Sequence, residues 1–77
     1  MTDAELIAQV AQAAGLIAAD LVGSCRKPII VRARHEAMRR LREAGVTRER
    51  ISELLDKDIK SVWYGLRRAG ERAQADG

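Results

Sequence analysis

The chain has 77 residues and a formal charge of +3, with 13 Ala, 18 Leu, Ile or Val and no Phe: one small domain with a thin aliphatic core. Its single cysteine, Cys25, and single histidine, His35, exclude an internal disulfide and a Cys/His zinc site. The longest uncharged run, residues 6–19, is too short and polar to cross a bilayer; Asp3 and Glu5 stand where a secretory leader carries Lys or Arg, so a cytoplasmic location is expected.

Ala, Leu, Arg and Glu dominate, and these are strong helix formers. The first helix is predicted over 3–14, on a face that Leu6, Val10 and Ala13 and then Ile17 mark at i, i+4, i+7 and i+11. Ile7, Ala11 and Ala14 widen that stripe, Thr2 or Asp3 caps its start, and Gly15 stops it. Residues 18–22 read as a short helical turn ended by Gly23. The segment Gly23-Ser24-Cys25-Arg26-Lys27-Pro28 is the clearest loop, because Pro28 fixes its own φ and restricts Lys27. A long helix follows over about 29–44, burying Ile30, Ala33, Ala37, Met38, Leu41 and Ala44 and ending at Gly45. Thr47 caps a shorter helix that runs to Leu55 and buries Ile51, Leu54 and Leu55. Asp56-Lys57 makes a tight connection, and Asp58 caps a last helix over 58–72 with Ile59, Val62, Leu66 and Ala69 inward. Trp63 is expected partly buried, Tyr64 at the surface, and 74–77 frayed. No internal repeat is present.

Charge is placed unevenly. Residues 1–25 carry Asp3, Glu5 and Asp20 and no cation, whereas all 14 basic residues lie in 26–77. Such polarity suggests a polyanionic partner. The helices at 47–55 and 58–72, joined by a short turn, have the helix-turn-helix layout, which places the start of the second helix in the DNA major groove. The predicted fold is therefore all-α: a small bundle with two N-terminal helices, a basic loop, a long central helix and a helix-turn-helix, the whole of 1–77 forming one domain.

Local sequence adds a resemblance. Ile7, Val10-Ala11, Gly15, Asp20-Leu21 and Arg26-Lys27 lead into Ile30-Val31-Arg32-Ala33-Arg34-His35-Glu36-Ala37-Met38. Thr47, Arg50-Ile51-Ser52 and Asp56-Lys57-Asp58-Ile59-Lys60-Ser61-Val62 follow. Over roughly residues 5–70 this pattern resembles the C-terminal DNA-binding domain of the DnaA family of bacterial replication initiators. His35 stands where that family has Gln. Ile59 and Lys60 replace its His and a Thr-type contact at positions that read bases, so the resemblance carries the fold further than the target. The ATPase module of full initiators has no counterpart here, so the chain resembles that DNA-binding domain either standing alone, in a version of phage, plasmid or accessory type, or taken from a longer protein.

The resemblance implies phosphate contacts from Arg26, Lys27 and Arg32, minor-groove entry by Arg34, and a DNA contact at His35, for which an exposed helical side chain is the plainer reading. Lys57 and Lys60 can reach guanine or phosphate, Asp58 can accept from cytosine N4, and Ile59 can touch a thymine methyl. Asp58 serves equally well as an N-cap, Ile59 as core, and Ser61 as a backbone-bonded hydroxyl. Arg48 and Arg50 suit phosphate contact or surface pairing with Glu49 and Glu53, and Tyr64 suits phosphate. Cys25 has no base beside it in sequence, so no catalysis, cofactor or small-molecule substrate is expected. Double-stranded DNA is the expected partner, in transcription or replication control. The alternative is a module that binds a host replication or transcription protein through the acid-edged first helix, which also suits homodimerisation. That helix has no Lys or Arg, which disfavours a membrane role.

Overall fold

The computed structural model describes residues 1–76 and is all-α, with five helices: α1 (Asp3–Ala13), α2 (Ala18–Leu21), α3 (Pro28–Glu43), α4 (Arg48–Leu55) and α5 (Ile59–Asp76). Each boundary has a local cause. Thr2 and Glu5 form a capping box, the Glu5 amide donating to Thr2 Oγ1 at 3.1 Å while Glu5 Oε1 accepts from the Thr2 amide at 3.4 Å. Gly15 adopts φ +75°, and the Leu16 amide donates back to Ala11 O at 2.8 Å, closing α1 with a left-handed turn. Pro28 is the first residue of α3, where its missing N–H costs no hydrogen bond. Gly45, at φ +94°, ends that helix in the same way as Gly15 ends α1.

The core joins Leu6, Ile7, Val10 and Ala11 of α1 to Leu21 of α2 and to Ala33, Ala37, Met38 and Leu41 of α3. Ile51 and Leu55 of α4 and Val62 of α5 complete it. Every other helix packs on α3, so α3 is the internal axis of the bundle.

Several sequence expectations shift. Ile17 leaves the α1 stripe: the break at Gly15 turns the chain, and Ile17 becomes the cap of α2 at 67% exposure. Ala13 is also exposed, while Ile7 and Ala11 lie fully inside the stripe. Ala44 is an exposed C-cap rather than a buried helical residue. Ile59 and Leu54 are half-buried. Trp63 is 55% exposed, more than expected: Val62 and Gly65 of its turn face inward, while its ring lies at the surface beside the Arg48 guanidinium. The frayed tail expected from Gln74 is helical to Asp76, and Gly77 lies outside the described residues.

Candidate nucleic-acid interface

The α4–α5 connection sets the geometry. Asp56 takes the left-handed conformation, φ 51° and ψ 50°, and the Lys57 amide donates to Ser52 O at 3.0 Å. Ser52 Oγ donates to Lys57 O, tying the turn to α4 a second time. Asp58 Oδ1 then accepts from the Lys60 amide at 2.9 Å, which is the N-cap role. That bond occupies one carboxylate oxygen and directs Asp58 to its own helix. With α5 started this way, Lys60, Ser61 and Tyr64 share one face of its first two turns.

The loop between α2 and α3 meets that face. The Gly23 amide donates to Leu55 O at 3.1 Å, fastening the loop to the end of α4. Ser24, Cys25 and Arg26 then line one wall of a groove of about 370 Å³, with Lys57, Lys60, Ser61 and Tyr64 on the other and Val31, Arg34, His35 and Met38 of α3 between them. The structure thus brings together Arg26, Lys57, Lys60, Ser61 and Tyr64, drawn from segments more than 30 residues apart in sequence. Arg26 and Lys60 are exposed, and no Asp or Glu lines the groove.

Two α3 side chains differ from expectation. Arg34 does not reach outward: it is 4% exposed, its Nε donates to Leu21 O at 2.9 Å and its Nη2 to Cys25 O at 3.1 Å. Burial draws the pKa of its guanidinium below the usual value, against a smaller opposing effect of Cys25. Minor-groove entry by Arg34 is replaced by an internal brace, because its donors are taken by the carbonyl that ends α2 and by one within the loop. His35, expected exposed, is 6% exposed. Its ring meets Tyr64 edge-to-face at 5.8 Å, and its Nδ1 lies 3.2 Å from Arg72 Nη1. A guanidinium only donates, so Nδ1 is the acceptor and a neutral His35 carries its proton on Nε2. Burial, followed by the charges of Arg72, Arg34 and Arg68, lowers its pKa to about 4.

The remaining predicted residues lie outside this groove. Lys27 is exposed at the start of α3. Arg32 opens instead onto a second groove, beside Glu36, Arg39, Arg40 and Arg72. Arg50 pairs with Glu53 at 3.4 Å across exposed surface, and Ile59 rests half-buried at the first turn of α5. Arg48 stacks on Trp63, its guanidinium carbon 4.0 Å from the ring centroid, with a buried Nε that has no hydrogen-bond partner.

Sequence reasoning missed Gly65. A Cβ there would lie 2.3 Å from Met38 Sδ and 2.9 Å from His35 Cδ2, so this glycine sets how closely α5 approaches α3. A Gly inside an otherwise helical pattern was the available signal. Among the described residues no helix is long and apolar enough to cross a membrane. Comparison with protein-family models, curated proteins and solved structures gave no match.

Proposed function

We propose that this protein binds double-stranded DNA, with the first turns of α5 in the major groove and the 23–27 loop on the flanking backbone, in transcription or replication control. The observation that carries this reading is the convergence of Arg26, Lys57 and Lys60 on one groove without a carboxylate in its lining. Ser61 and Tyr64 add polar groups suited to base edges and phosphate. Arg48, its guanidinium over the Trp63 ring, lies in the first helix of the pair, where a phosphate contact is usual in helix-turn-helix proteins, and this supports the reading. The resemblance to the DnaA C-terminal domain points the same way. In this arrangement Arg34 supports the loop and makes no DNA contact.

The test is fluorescence anisotropy of a labelled random-pool duplex titrated at several salt concentrations. Arg26, Lys27, Arg48 and Lys57 together neutralise about four phosphates, with Lys60 left to the bases, so log K falls against log salt with a slope of roughly −3.6. A folded protein that fails to bind at low salt overturns the reading. Lys60→Thr then shifts base preference more than overall affinity, read by selection of preferred sites from the same pool.

A further inference from the structure

We infer that the second groove docks an acidic amphipathic helix of a partner protein. This groove, of about 620 Å³, runs between the end of α1, α3 and the last turns of α5. Its apolar lining is small, Val10 with Ala13, Ala14, Ala33, Ala69 and Ala73, of which Ala13 and Ala73 are exposed, so that a helix can lie close against it. Ile29, 56% exposed, stands at its side as an apolar contact. Four arginines edge it, with Glu36 the lone carboxylate among its lining residues. That carboxylate is taken up by Arg39, which also bonds Glu43 at 2.7 Å. Arg32 and Arg40 are left without a carboxylate partner among the described residues.

A small apolar lining gains nothing from a phosphodiester backbone, whereas an apolar helix ridge fills it and flanking carboxylates meet Arg32 and Arg40. A second copy of this chain is a poorer fit. Its acid-bearing helix, α1, turns Leu6, Ile7 and Val10 into its own core and shows Ala4, Glu5, Ala8, Gln9 and Gln12 outside. It has no large apolar ridge to offer. The inference is independent of the DNA reading, because Lys57, Lys60 and the 24–26 loop line the other groove.

The probe is a fluorescein-labelled 16-residue peptide with Leu at i, i+3, i+4 and i+7 and Glu on its flanks, titrated against the full chain. Amide chemical-shift mapping and sedimentation run alongside. The expected dissociation constant is on the order of 10 µM. Shifts should cluster at residues 13–14, 29–40 and 69–73. Arg32→Glu with Arg40→Glu should weaken binding at least ~10-fold, and Ala73→Trp, which fills the exposed end of the groove, should do the same. Lys60→Ala should leave peptide binding within about twofold, and Ala73→Trp should leave duplex binding within the same margin. Three results overturn the inference: no binding at low salt, shifts that gather at Lys57 and Lys60 and are lost in Lys60→Ala, or self-association of the unliganded chain that Ala73→Trp abolishes. The last would assign the groove to a second copy.

Discussion

A guanidinium shared between the carbonyls of Leu21 and Cys25 has its donors directed inward, and its charge lies under the loop rather than on it. Arg34→Met should therefore strand two carbonyls and cost about 1–3 kcal/mol. For a domain of this size, each kcal/mol lowers the melting temperature by roughly 4–8 °C. Duplex affinity should fall as the loop loosens, while the salt slope stays that of the wild type. Arg26→Ala should behave oppositely, leaving stability within about 0.5 kcal/mol and making the slope shallower by about 0.9. A shallower slope in Arg34→Met would place that charge on a phosphate after all. His35 adds a pH dependence. Its folded pKa is lowered to about 4 from 6.5, so between these values the unfolded chain binds more protons than the folded one. The contribution of neutral His35 is complete above pH 6.5 and is lost as pH falls toward 4. A shift of this size corresponds to about 3 kcal/mol. Urea midpoints should fall over that window more steeply in the wild type than in His35→Gln; equal slopes would show that His35 does not titrate differently on folding.

The helices differ in how much of each the sequence reveals. Caps are local, so Thr2 with Glu5, Pro28 and Thr47 mark helix starts without knowledge of the fold. Burial of a polar side chain is not local. Arg34 is buried because a carbonyl 13 residues earlier needs a donor, and His35 because Arg72 and Tyr64 return to it from α5. Both residues continue a basic, polar pattern that reads as surface, and only the crossing of α5 over α3 places them inside. That crossing depends on Gly65, and a paired substitution tests it. At Gly65 the helix-propensity gain of Ala, about 1 kcal/mol, is opposed by contact with two buried side chains. Overpacking of this kind costs about 1–3 kcal/mol, and Met38, 1% exposed, has little room to withdraw. Gly65→Ala should therefore destabilise. Gly70 sits in the same helix with no atom within 4 Å of an added Cβ, so Gly70→Ala should stabilise by about 0.5–1 kcal/mol. Chemical denaturation of the two variants reads the difference directly. The same sign at both positions would mean that α5 does not meet α3 so closely at Gly65.

Across the whole molecule, measuring 27 × 26 × 25 Å, cations edge two separate grooves, while the acid-bearing α1 packs along α3. A domain this small carries little reserve stability, so a ligand bound only by the folded form should change its melting temperature visibly. Duplex at 100 times its dissociation constant adds about 2.7 kcal/mol, which is an upward shift on the order of 10 °C. Because the binding energy comes largely from phosphate neutralisation, the shift should shrink steeply as salt rises, following the slope of roughly −3.6 expected of the anisotropy titration. Heparin supplies the control. It is a polyanion without a major groove, so it can engage Arg26 and Lys57 but not present base edges to Lys60 and Ser61. The expected result is a larger stabilisation by a selected duplex than by heparin at equal charge concentration, with Lys60→Thr erasing the excess and leaving the heparin response intact. Equal stabilisation by both ligands, insensitive to Lys60→Thr, would reduce the groove to a general anion site and withdraw base reading from α5.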